Sequence, residues 1–219
     1  MELEGKVINC LGDSITEGIG ASCVQNGWPH VMERLYRTRV NNYGVGGSRI
    51  ARQIVITDEP YDEDFLMRLD RMDESADAIV VFGGTNDFGH GEAPLGVPTD
   101  RTPATYWGAC HLLMRELLTR YCGKPILIVT PLHRSDENDP RGDGTGRKKY
   151  SVAVLKTYVD ILKTVAAEYS LPVLDLYNGG GFLPSVPIVR ERLMPDGLHP
   201  SDEGHAILAR RIGEALKAL

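Results

Sequence analysis

What most constrains this chain is an alternation that runs along its length. Short β-branched, apolar runs are each followed by a turn and then by a stretch with helical spacing. The runs at 7–11, 39–43, 78–82, 125–130 and 172–176 read as strands. Residues 28–39 read as a helix with Val31, Leu35 and Met32 on one side, and Phe65, Leu66, Leu69 and Met72 share a helical face. Helices are predicted over 105–121, with Leu113 and Leu117 inward, and over 150–169. Ser201 is placed to cap a last helix that carries Ile207, Leu208, Ile212 and Leu216. Strands separated by helices form βαβ units, so the expected fold class is α/β, with a five-stranded parallel sheet covered on both faces. The unbroken apolar run 78–82 fits a strand buried on both sides.

At 219 residues, with no internal repeat, a single domain over 1–219 is expected. The net charge of −6 has the wrong sign for a nucleic-acid partner. The 42% hydrophobic and 25% charged content is ordinary globular usage and excludes a disordered chain or a coiled coil. No apolar run approaches the roughly 20 residues that span a bilayer, so no membrane partner is expected. The start, Met-Glu-Leu-Glu-Gly-Lys, lacks the features of a secretory leader, and the expected location is cytoplasmic. A chain whose leader had been removed would look the same. Cys10, Cys23, Cys110 and Cys122 show no Cys-x-x-Cys spacing, and buried free thiols are expected rather than a zinc site or a redox pair. Oligomeric state is not legible.

In parallel α/β sheets, ligands bind beyond the carboxyl ends of the strands. Three unusual turns fall there: Gly12-Asp13-Ser14 after the first strand, Gly44 to Ser48 after the second, and Gly83-Gly84-Thr85-Asn86-Asp87 after the third. Two longer irregular segments, 88–103 and 133–149, also follow strands and should hang over that edge. Each reads either as a lid that shapes a substrate site or as a surface insertion.

Ser14, at the switch from strand to helix start, has the setting of an activated serine: free backbone N–H groups and a positive dipole end for a developing oxyanion. Asp and Ser are also the preferred helix caps. Met194-Pro195-Asp196-Gly197-Leu198-His199-Pro200 supplies what a cap does not need. In that turn, Asp196 can accept from one ring nitrogen of His199 and leave the other as a base. The Asn86 side chain and the Gly47 N–H could donate to an oxyanion, although both residue types are common in turns. Three strand-edge turns and an Asp-x-x-His segment together are less readily explained as turn chemistry.

With these blocks in order, the chain resembles the SGNH (GDSL-type) hydrolases, an esterase and acetylesterase family named for Ser, Gly, Asn and His. The resemblance runs from Val7 to His199. It rests on Gly12-Asp13-Ser14, Asn42-Tyr43-Gly44-Val45-Gly46-Gly47, Gly84-Thr85-Asn86-Asp87 and Asp196-Gly197-Leu198-His199. It implies a three-layer α/β/α sandwich with a flavodoxin-like sheet. Its implied roles are Ser14 as nucleophile, His199 as base and then acid, and Asp196 as orienter of His199. The oxyanion hole would comprise the Ser14 and Gly47 N–H groups and the Asn86 side chain. Ile15 stands where the family name has Leu, a swap of similar volume. The assignment of Gly47 rather than Gly46 rests on its spacing from Asn42.

The expected activity is hydrolysis of carboxylic esters through an acyl-enzyme, without cofactor or metal. The family also includes lipases, thioesterases and lysophospholipases. Low aromatic content (7%) favours short acyl groups, such as acetyl on a carbohydrate, over bulky lipids. One alternative is a metal-dependent phosphohydrolase using Asp13, Asp87, Asp196 and His199; another is an inactive carbohydrate-binding module on the same fold. Arg49 and Arg134 are candidate substrate contacts, with pairing of Arg49 and Arg52 to surface acids as the plainer reading for those two. Asp13 is expected to serve the turn around Ser14, and His205 to be solvated. Arg147-Lys148-Lys149 is too short a basic run to bind nucleic acid. Gly18-Ile19-Gly20-Ala21-Ser22-Cys23 lacks the third glycine of a dinucleotide fingerprint.

Overall fold

The computed structural model describes residues 1–143 and 152–219. The basic run at 147–149, the predicted helix start at 150 and the end of the 133–149 segment lie outside the described residues.

Five parallel strands form one sheet: β1 (Val7–Gly12), β2 (Arg39–Gly44), β3 (Ala78–Phe82), β4 (Ile126–Val129) and β5 (Val173–Leu174), in the order β2-β1-β3-β4-β5. This is the expected flavodoxin-like order. The helices are α1 (Ser14–Glu17), α2 (Trp28–Tyr36), α3 (Phe65–Arg68), α4 (Thr85–Gly89), α5 (Tyr106–Arg120), α6 (Leu155–Glu168), α7 (Leu176–Gly179), α8 (Pro187–Leu193) and α9 (Asp202–Lys217).

Strand alternation splits the core into two layers, because successive side chains point to opposite faces. On one face Leu11, Ile79, Val81, Ile126 and Ile128 pack with α5 and α6. On the other, Ile8, Cys10, Val80, Phe82, Leu127 and Val129 pack with Trp28 and Met32 of α2 and with Leu208, Ile212 and Leu216 of α9. All five residues of β3 are buried, as its unbroken apolar run predicts.

Several expectations are corrected. Leu35 is 46% exposed, because the inward face of α2 is centred on Trp28, Pro29 and Met32, with Tyr36 packed against the same layer, and Leu35 lies at the edge of that arc. The strand expected over 172–176 ends at Leu174, where Asp175 caps α7 by accepting from the Asn178 N–H (3.0 Å). Cys10 and Cys110 are buried free thiols, but Cys23 and Cys122 are exposed. His205 is fully buried rather than solvated: Nδ1 accepts from the Trp28 N–H (3.2 Å), so Nε2 carries the proton towards the Ile19 carbonyl (3.1 Å). The 88–103 segment is partly internal: Phe88 is in the core, and the Pro94 and Leu95 carbonyls accept from the first N–H groups of α5.

The chain leaves β1 for β2 on one side and returns to β3 on the other. That reversal opens a crevice between β1 and β3 at their carboxyl ends. Ser14 follows β1 and Asn86 follows β3, so both stand at its mouth.

Candidate active site

Ser14 is the first residue of α1, and the Asp13 carboxylate caps the helix by accepting from the Ile15 N–H (3.0 Å). A residue at that position has no intrahelical acceptor for its own N–H. The cap and the serine are therefore one local structure, and the capping role weighed for Gly12-Asp13-Ser14 falls to Asp13.

Ser14 Oγ lies 3.0 Å from His199 Nε2, across 185 positions of sequence. On the far side of the ring, His199 Nδ1 lies 2.7 Å from Asp196 Oδ2. The Asp196 Oδ1 atom also accepts from the Leu198 and His199 N–H groups (2.8 and 2.7 Å), which closes the turn. Burial pushes the Asp196 carboxyl up, but the bonds from the His199 ring and the two N–H groups outweigh it and hold it below the usual carboxylate range. An ionised carboxylate only accepts, so Nδ1 carries the ring proton and Nε2 presents its lone pair to the Ser14 hydroxyl.

Gly84, at φ +108°, turns the chain out of β3 and starts α4, so Asn86 sits on a short helix rather than in a plain turn. Its Nδ2 donates to the Ser48 carbonyl (3.0 Å), and among the described residues nothing accepts its second amide hydrogen. In the turn after β2, the Glu17 carboxylate takes the Gly46 N–H (2.7 Å). Among the described residues nothing accepts from the Gly47 N–H. A Cβ built on Gly46 would lie 3.8 Å from Ser14 Cβ, which places this turn against the serine.

Arg49 and Arg134 are both buried. Arg49 pairs with Asp62, donates to the Tyr61 carbonyl (3.2 Å) and meets His90 Nδ1 at 2.9 Å. Arg52 pairs with Asp64 (2.7 Å). Both acids are buried, which corrects the expected surface pairing. Arg134 donates to the Thr85 carbonyl and hydroxyl (3.2 Å each), and Asp143 stands 3.5 Å away.

Asp13 and Asp87 lie beneath the site and are fully buried, which pushes their carboxyls up to about 7 and about 6. Backbone N–H donors oppose the rise, from Ile15 to Asp13 and from Ile50 and Ala51 to Asp87. Among the described residues, no group of three or more His, Cys, Asp or Glu side chains is placed to hold a metal ion.

Sequence reasoning missed Arg68, Glu17 and Gly20, none of which carries a local signal of a site. Gly20, in the glycine run rejected as a dinucleotide loop, lies directly under His199.

Residues 10–207 match the model of a family described as GDSL-like lipase/acylhydrolase. No curated protein matches the chain in sequence. One crystal structure is 33% identical, covers 100% of this chain and 99% of its own, and superposes with a TM-score of 0.84. A Lactobacillus plantarum protein is 28% identical, with 99% and 98% of the two chains covered and a TM-score of 0.82. A carbohydrate acetylesterase family member from Sinorhizobium meliloti shares the fold at 21% identity, with 97% and 98% covered and a TM-score of 0.66.

Proposed function

The chain belongs to the GDSL-like lipase/acylhydrolase family, and from that premise we propose that it hydrolyses carboxylic esters through an acyl-enzyme on Ser14. The observation that carries this reading is the continuous chain from Ser14 Oγ through the His199 ring to Asp196, with contacts of 3.0 and 2.7 Å.

Ser14 Oγ attacks the ester carbonyl while His199 Nε2 takes its proton. Asp196 holds the ring in the required tautomer and stabilises the imidazolium that forms. The Ser14 and Gly47 N–H groups and the spare amide hydrogen of Asn86 stabilise the tetrahedral oxyanion, a role worth roughly 10²–10³ in rate per donor. His199 returns the proton to the leaving alcohol, and a water activated by the same ring releases the acid and frees Ser14.

Short acyl groups are the substrate class we propose, with acetyl esters of carbohydrates foremost. Low aromatic content supports this, as does the name of the Sinorhizobium meliloti neighbour. The metal-dependent reading has less support, since Asp87 is spent on the Ile50 and Ala51 N–H groups while Asp196 is spent on His199.

The test is turnover of p-nitrophenyl esters of increasing chain length, then of acetylated sugars, by the native protein and by Ser14→Ala. Activity highest on acetyl and abolished in the variant is expected, with a fluorophosphonate label mapping to Ser14. Ser14→Ala retaining turnover would overturn the mechanism, and a preference for long chains would overturn the substrate class.

A further inference from the structure

Arg68 closes α3 on the side of the sheet opposite α2 and α9, and it is 4% exposed. Its Nη1 donates to the Tyr43 carbonyl (2.7 Å), and its Nη2 donates to the Gly12 carbonyl (3.0 Å) and to Ser48 Oγ (2.9 Å). These acceptors are neutral. Among the described residues Arg68 has no carboxylate within ion-pair distance, and its Nε is buried without a hydrogen-bond partner. Burial pulls the guanidinium down to about 10, against the attraction of Asp13, so it remains charged at neutral pH.

Besides these acceptors the guanidinium lies over the Phe65 ring, 4.7 Å from its centre, and a buried cation with neutral partners alone still carries a desolvation cost that an apolar side chain of similar size would avoid. Stability alone therefore gives a weak account of Arg68. What its three bonds reach gives a better one. Gly12 immediately precedes Asp13 and Ser14, and Tyr43 lies at the end of β2, where the 44–47 turn begins. Ser48 follows Gly47, and the Ser48 carbonyl accepts from Asn86 Nδ2. Gly12 O also accepts from the Val45 N–H (3.1 Å), so the turn and the end of β1 share one acceptor beneath the arginine.

We propose that Arg68 is a positioning residue for the oxyanion hole, its guanidinium fixing the Ser14, Gly47 and Asn86 donors relative to one another from the buried side. The inference rests on the acyl-enzyme reading above. Each donor belongs to a different strand-edge turn; direct bonds between those turns run through the Gly12 and Ser48 carbonyls, and Arg68 bonds both of those residues. Arg68 bonds the ends of both β1 and β2 and reaches Asn86 through Ser48. Displacement of the donors by about 1 Å is enough to cost on the order of 10²-fold in rate. The donors act on charge that develops only in the transition state, so the loss falls on kcat.

The experiment compares native protein, Arg68→Lys, Ser48→Ala and Ser14→Ala on a short-chain p-nitrophenyl ester. kcat is expressed per active site titrated with a fluorophosphonate, and for Ser14→Ala, which has no serine to label, per mole of folded protein. The downfield proton resonance of the Asp196–His199 pair is followed by NMR. Arg68→Lys is expected to lose roughly 10²-fold in kcat with KM within about twofold and the resonance retained. Ser48→Ala keeps the fold's charge and is expected to lose about 10-fold in the same parameter; it decides the matter alone if Arg68→Lys does not fold. Native kcat per active site in the folded variants, a change confined to KM, or loss of the resonance together with activity would each overturn the proposal. If Ser14→Ala retains turnover, the acyl-enzyme reading fails instead. If only Ser14→Ala is inactive, the reading stands and the role of Arg68 falls.

Discussion

Gly20 lies so close to His199 that a methyl group on it would stand 2.8 Å from His199 Cβ and 2.4 Å from the Pro200 carbonyl oxygen. The residue adopts φ +93°, a region that side chains disfavour, so conformation and contact impose the same restriction. The segment after α1 thereby packs under the turn that carries the imidazole. Asp202 at the start of α9 adds to this by accepting from the Ser22 N–H and hydroxyl and from Asn26 Nδ2. Serine and histidine are distant in sequence, and this packing is one of the contacts that brings them together.

Gly20→Ala is therefore expected to damage activity more than stability. The backbone strain costs about 1–3 kcal/mol, while displacement of His199 lowers kcat/KM by on the order of 10²-fold. Gly5→Ala is the control, since Gly5 also has positive φ (+74°) but nothing lies within 4 Å of its added methyl. It is expected to lose stability by a similar strain and to keep its kcat/KM. Equal loss of kcat/KM in both variants, with thermal midpoints as the stability measure, would remove the role assigned to Gly20.

Asp196→Asn retains an oxygen for the Leu198 and His199 N–H groups, so the turn should survive. The new amide N–H, however, faces Nδ1 and favours the tautomer that protonates Nε2, which cannot take the serine proton. Loss of the tautomer-setting carboxylate costs up to roughly 10⁴-fold in kcat where that group is buried. The Asp196 side chain is 54% exposed, and water can take up part of its function. A loss nearer 10²-fold is expected here, measured as kcat on a saturating short-chain ester with native KM.

Asp13 and Asp87 give stability an unusual dependence on pH. Burial raises the Asp13 carboxyl from 3.8 to about 7 and that of Asp87 to about 6. The folded protein then holds protons that the unfolded chain has released, so stability from these groups is fully present below about pH 4 and is lost as pH rises through 6 to 7. Most buried carboxylates with cationic partners slope the other way. Asp13→Asn keeps an oxygen for the Ile15 N–H and removes the titration. Its urea midpoint is expected to fall less than that of the native protein between pH 5 and pH 7.5. An unchanged slope in the variant would assign the titration elsewhere.

The strands and the turns after them were legible because both signals are local: short β-branched, apolar runs, then glycines where the runs break. Ser14, Asn86 and the Asp196–His199 turn could be read for the same reason. Arg68 could not, since within residues 65–72 it looks like any cation on an amphipathic turn, and its meaning comes from strand ends far away in sequence. The partners of His205 were hidden in the same way, one on α2 and one in the segment after α1. Arg49 drew attention for its charge, but pairing with Asp62 depended on the fold of the intervening loop. Local chemistry was readable, whereas the cross-strand restraints that hold it in register were not.

Asn86 separates a hydrogen-bond role from a charge role within one side chain. It is 5% exposed, and its amide donates to the Ser48 carbonyl while, among the described residues, its second hydrogen has no acceptor; the proposed mechanism gives that hydrogen to the oxyanion. Asn86→Ala removes both bonds and is expected to lower kcat by roughly 10²–10³-fold with KM little changed. Asn86→Asp is close to isosteric, yet it puts acceptor oxygens opposite the Ser48 carbonyl and opposite the developing negative charge. The aspartate variant should therefore be slower than the alanine one, and it should recover partially as pH falls and its carboxyl gains a proton. Kinetics of both variants from pH 5 to pH 8 give the comparison. Faster turnover by Asn86→Asp than by Asn86→Ala across that range would show that the amide fills space at the strand edge rather than donating to the oxyanion.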